Sequence, residues 1–217
     1  MPRIPLAIAL AVAILLAAPP AAAADSDLSV NAQLLVAARN SDAAALERAL
    51  QNGASPNARN RIGETALLVA LKKDDVATAR RMLDAGTDVN IAAVNGVTPL
   101  MAAAYSGRKE LVEALLARGA DLNAVDRLEK NAMTYAAGEG RTEIVTLFLA
   151  RGVDPNAVYR NDLTALMWAA GNGKADTVKA LLAAGAKAGL RDNRGKTALD
   201  MAREGGYAGV VVLLEKA

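Results

Sequence analysis

Apolar residues recur along this chain in short paired bursts separated by polar turns. Leu100, Ala103 and Ala104 make one narrow apolar face, and Leu111, Val112, Leu115 and Leu116 make a second, at helical spacing. Thr98 stands before the first burst as a helix cap, and Pro99 suits a first turn. Gly107 permits the tight turn that ends the first helix, and Gly119 ends the second. Asp121 to Asn123 then start an extended turn. The pattern predicts two short helices and a turn per unit, the first helix Ala-rich so that it packs close to its neighbours.

The unit repeats. Thr65, Thr98, Thr164 and Thr197 lie on a ladder of period 33, with Asn131 on the remaining rung. Gly53, Gly86, Gly119, Gly152 and Gly185 form a second ladder, and Asn57, Asn90, Asn123 and Asn156 a third. Gly107, Gly140, Gly173 and Gly206 form a fourth. Four ladders in register define a repeat array, in which each unit buries its apolar face only against its neighbours.

Gly96-Val97-Thr98-Pro99-Leu100-Met101-Ala102-Ala103-Ala104 resembles the core motif of the ankyrin repeat, Gly-x-Thr-Pro-Leu-His-x-Ala-Ala. The resemblance covers nearly all of 25–217. It implies an all-α repeat solenoid of helix-turn-helix units with β-turn hairpins. Six units are read, at about 28–59, 60–92, 93–125, 126–158, 159–191 and 192–217. The first lacks the Thr and the last stops after its second helix, as degenerate end caps do. The family's His column reads Leu35, Leu68, Met101, Thr134, Met167 and Asp200. Its loss predicts less polar wiring between units and more reliance on apolar packing. Asn131-Ala132-Met133 in the fourth unit and Asp74 in the second replace the usual Thr-Pro-Leu and Gly, which predicts local weakness in both.

Before the array, Arg3, the apolar run 4–18, Pro19-Pro20 and Ala22-Ala23-Ala24 read as an export signal cleaved before Asp25. The run is short for a membrane span. The expectation is a chain 25–217 in a Gram-negative periplasm or the medium, with no stable membrane insertion.

Composition removes most chemistry. The chain has neither Cys nor His, so disulfides, Cys/His zinc sites, thiol nucleophiles and imidazole triads are excluded. Lys plus Arg is 25 against 23 for Asp plus Glu, a net +2 that gives no global drive toward nucleic acid. Asp88, Asp121 and Asp154 fall in one repeat column, which architecture explains. No phosphate loop or EF-hand sequence occurs. The reading is a non-enzyme with no catalytic residue, cofactor or metal. It is expected to be a monomer, since the outer faces show no dimer stripe.

By the resemblance, turn tips and the exposed ends of first helices line the concave binding face. Those columns hold Arg61, Lys72, Lys73, Arg127, Lys130, Arg160, Arg194 and Lys196 against three acids, Glu64, Glu139 and Glu204. The excess predicts an acidic protein partner. Tyr105 and Tyr159 are the expected aromatic contacts, while Tyr135, Trp168 and Phe148 are expected in the packing. The function expected is a protein-binding scaffold. The alternatives are a secreted effector or a regulatory subunit that modulates a partner enzyme.

Overall fold

The computed structural model describes residues 28–217; the export signal expected at 1–24 lies outside the described residues. Twelve α-helices come in pairs: α1 (Val30–Asn40) with α2 (Ala43–Gln51), α3 (Ala66–Lys72) with α4 (Val76–Asp84), and α5 (Pro99–Ser106) with α6 (Lys109–Ala117). They continue with α7 (Ala132–Glu139) and α8 (Thr142–Ala150), α9 (Ala165–Gly171) and α10 (Ala175–Ala183), and α11 (Ala198–Glu204) and α12 (Ala208–Leu214). Hairpin-like loops join the pairs, and those at 52–65 and 151–164 are closed by isolated bridges, Arg59 with Thr65 and Val158 with Thr164. This is an all-helical solenoid.

Each first helix starts where a side chain satisfies its free amides. Thr65, Thr98, Thr164 and Thr197 accept from the amide three residues on, and Asn131 does the same at 3.0 Å. The former His column returns the bond. Thr134 Oγ1 accepts from the Asn131 amide at 3.0 Å, Asp200 Oδ2 from Thr197 at 2.9 Å, and the Met101 and Met167 sulfurs from Thr98 and Thr164. The fourth unit, expected to be weak, therefore carries a complete capping box.

First helices pack on first helices and second on second, the first-helix row more closely, so that row forms the inner face. Small side chains allow this: Ala66, Ala70, Ala103, Ala104, Ala136, Ala137, Ala169 and Ala170 are buried. Leu115, Phe148 and Leu181 fill the space behind them with no exposed surface. Burial of such side chains from water is the main stabilising term.

Polar wiring between units persists by other routes than the His column. Asn57 and Asn90 accept from the amides of Asp88 and Asp121 in the next loop, both at 2.8 Å. Arg81 pairs with Glu47 at 2.6 Å and Arg118 with Asp84 at 3.2 Å. Arg108 pairs with Asp74, so the residue that replaces the turn glycine is tied to the following unit.

Candidate functional site

Three hairpin tips are built by one acceptor column, while the tip at Ala93 has Asn95 Oδ1 accepting from the Val97 amide instead. Asn60 Oδ1 accepts from the amides of Ile62 and Glu64, Asp126 Oδ1 from Leu128 and Lys130, and Asp192 Oδ1 from Arg194 and Lys196, all at 2.8–3.0 Å. A short carboxylate or amide bonding two and four residues ahead holds a turn open and regular. In the 151–164 loop this column holds Tyr159, which cannot make those bonds. The tip there tightens into a 3-10 turn, Arg160–Asp162, with Asn161 and Asp162 both left-handed at φ 61° and 60°.

That change interrupts two ladders at one junction. Successive tips are tied by backbone bonds: the Val94 amide to Ile62 C=O at 2.8 Å, Arg127 to Asn95 at 2.9 Å, and Asn193 to Asn161 at 3.0 Å. The matching bond, from the Arg160 amide to Leu128 C=O, is missing, and neither group bonds elsewhere among the described residues. The Asn ladder repeats the break. Asn90 and Asn156 each accept from the next loop at 2.8 Å and donate to Gly119 and Gly185 carbonyls, but Asn123 makes no such bonds to the 151–164 loop. The loops 118–131 and 151–164 are thus splayed, with Tyr159 between them.

A cavity opens on each side. One of about 300 Å³ is lined by Leu128, Glu129, Lys130, Tyr159, Arg160, Asn161, Leu163 and Trp168. The other, of about 350 Å³, lies beside Leu122, Asn123, Asn131, Asp154 and Tyr159. Tyr159 borders both and packs half-buried against the core. Burial pushes its hydroxyl above the ordinary tyrosine range.

The first cavity runs into an aromatic patch on the inner face. Tyr105, 51 % exposed, stands edge-on to Tyr135 with ring centres 6.2 Å apart. The Lys130 ammonium lies 5.3 Å from the Tyr135 ring centre and 5.1 Å from that of Trp168. A cation at such distances is held by the rings' electron-rich faces. Tyr135 is fixed in turn, its hydroxyl donating to Asp126 Oδ2 at 2.7 Å. Burial, then the Asp126 carboxylate, raises the Tyr135 hydroxyl far above its usual value, so it stays protonated as a donor.

The other expected site residues divide by what their charges already do. Lys72 pairs at 2.7 Å with buried Glu64. Burial pushes the Glu64 carboxyl up, but Lys72 and Asn60 outweigh it and hold it below the ordinary range. Lys196 pairs with Glu204 at 2.6 Å and Arg194 with Asp192 at 2.7 Å. Lys73 donates to Arg39 C=O and Ser41 Oγ, closing the end of α1. Arg61, Arg127 and Arg160 are exposed and make no ion pair among the described residues. Tyr105 is open to contact, whereas Tyr159 is a half-buried wedge. Tyr135 and Trp168, expected as packing, are only part-buried and line the patch. The signal for the junction was present in the column Asn60, Ala93, Asp126, Tyr159, Asp192, where Ala93 and Tyr159 both lack the acceptor and Tyr159 alone adds a bulky ring.

Among the described residues no group of three or more acidic side chains could hold a metal ion, and no helix is long and apolar enough to cross a membrane. The family model for ankyrin repeats (3 copies) matches residues 34–126 and 130–217. Comparison with curated proteins finds no match.

Proposed function

Since this chain belongs to the ankyrin-repeat family, whose repeats mediate protein–protein interaction, we propose that it is a non-enzymatic scaffold holding an acidic protein partner on its inner face. One observation carries the reading. Arg61, Arg127 and Arg160 occupy a single repeat column along the tips, exposed and without ion partners among the described residues, while Lys72, Arg194 and Lys196 are neutralised by their own units. Glu129 and Asp162 share the tips, so the charge is a row of guanidinium groups and not a broad positive field. A planar guanidinium takes a carboxylate through two parallel hydrogen bonds, so a row in which Arg61 and Arg127 stand two units apart and Arg127 and Arg160 one suits an acidic surface or segment. Tyr105 and the Tyr135–Trp168 patch add the aromatic anchors on which interfaces concentrate binding energy.

The protein acts outside the cytoplasm in this reading, because residues 1–24 have the composition of an export signal. N-terminal sequencing of protein recovered from the exported fraction should begin at Asp25. Retention of Arg3 in that protein would count against cleavage.

The partner test compares the wild type with the triple variant Arg61→Glu, Arg127→Glu, Arg160→Glu as baits for the exported fraction. The reading expects a partner held by the first and released by the second, with affinity falling as salt rises. Equal retention at all salt concentrations would remove the arginine row from the interface.

A further inference from the structure

We infer that the splayed junction between loops 118–131 and 151–164 is a slot for an extended peptide segment of the partner, one carrying a bulky apolar residue flanked by carboxylates. This rests on the protein-binding reading above and narrows it to one place and one ligand chemistry.

The argument begins with backbone groups. Leu128 C=O and the Arg160 amide face a rung that three other junctions close, and both lack a partner among the described residues. An extended chain offers the missing pair, an amide for Leu128 and a carbonyl for Arg160, as strands do when they add to an open edge. The rung would then run through the ligand.

Side chains set the specificity. Leu128, Leu163, Tyr159 and Trp168 line a cavity of about 300 Å³ beside that rung, room for one large apolar side chain. Leu128 is 53 % exposed, an apolar cost that a ligand would relieve. Lys130, which also lines the cavity, is held by two rings, and exposed Arg160 lines it too. Neither makes an ion pair among the described residues, so each can meet a carboxylate of the ligand. Glu129 also lines the cavity and repels one; two cations against it leave the balance with an acidic ligand.

Loss of the acceptor alone does not open a slot, since the tip at Ala93 also lacks it and keeps both its rungs; the bulk of the Tyr159 ring sets this junction apart among the described residues. Tyr159 replaces the acceptor that builds the tip in its neighbours and keeps the loops apart. Tyr159→Asp restores a carboxylate in the column and should let the tips close.

The chain's single tryptophan lies in the slot, so its emission reports occupancy. The experiment titrates the purified protein with a blocked hexapeptide centred on Asp-Phe-Asp, with Asn-Phe-Asn and Asp-Ala-Asp centred peptides beside it. The slot predicts a saturable change with the first and affinities lower by about tenfold with each of the others, one lost charge pair or one lost apolar anchor corresponding to about a factor of ten. Arg160→Ala should weaken the first peptide by a similar factor, and Tyr159→Asp should abolish it while the thermal melt stays cooperative. N-methylation of the peptide at Phe should also weaken it, because it removes the amide meant for Leu128.

No saturable signal up to millimolar peptide would overturn the slot, as would wild-type affinity in Tyr159→Asp. Either result leaves the arginine row to be tested separately by capture with the double variant Arg61→Glu, Arg127→Glu, since those two residues do not line this cavity whereas Arg160 does. Should Tyr159→Asp melt without cooperativity, Arg160→Ala and the N-methyl peptide decide instead.

Discussion

Asp74 holds a left-handed backbone, φ 60°, in the turn between α3 and α4, where Gly107, Gly140, Gly173 and Gly206 serve the later turns. For a residue with a Cβ that conformation costs about 1 kcal/mol or more, and the exposed Arg108 pair returns little of it. Asp74→Gly should therefore raise the melting temperature slightly, as thermal unfolding by circular dichroism will show. Gly96 is the opposite case. It combines φ +83° with a tip so close that a Cβ would stand 2.8 Å from Asp126 Cα. Gly96→Ala must push two loops apart, and equilibrium denaturation should show a loss of more than about 1 kcal/mol. Sequence columns reveal that Asp74 and Tyr159 are exceptions. They do not reveal the consequences, because an ion pair to the next unit and an unpaired rung exist only once two loops are placed side by side.

At the scale of elements, the helices and their starts were legible because each rests on local bonds at fixed spacing. Thr98 with Met101 and Asn131 with Thr134 close their caps within three residues. At Asn131, where weakness is expected, a different residue pair makes the same two capping bonds. The inner face was less legible. Tyr135 and Trp168 share a column with packing residues, and only the tip geometry turns Lys130 over their rings. Scaffold and recognition should separate by mutation. Leu115→Ala, at a site with no exposed surface, should cost roughly 2–5 kcal/mol by leaving a cavity. Arg127→Glu should leave unfolding nearly unchanged and weaken binding of an acidic partner. Matching stability losses in the two variants would contradict that division.

At the scale of the whole molecule, six carboxylates among the described residues are held below their ordinary range: Glu47, Glu64, Asp74, Asp75, Asp192 and Asp200. The Arg81 and Arg108 hydrogen bonds dominate at Glu47 and Asp74. At Asp200 the Thr197 amide and hydroxyl do so, and at Glu64, Asp75 and Asp192 bonds to neighbours overcome the opposing burial. A carboxyl depressed by folding binds its proton more readily in the unfolded chain, so stability rises with pH through that range and is lost as pH falls. The melting temperature should be nearly flat from pH 7 to 5. It should drop once the pH passes below about 4, the ordinary carboxylate value. A protein most stable at pH 3 would contradict these assignments.

The central claim is that recognition belongs to the inner face and the second helices serve only as scaffold. A photo-crosslinking side chain tests it when placed singly at Tyr105, exposed on the first-helix row, or at Glu113, exposed on α6 behind it. Both proteins are illuminated in the producing cell and the adducts compared. The account predicts a protein adduct from position 105, lost when Arg61, Arg127 and Arg160 are also changed to Glu, and none from 113. An adduct from 113 with none from 105 would place the interface on the outer face.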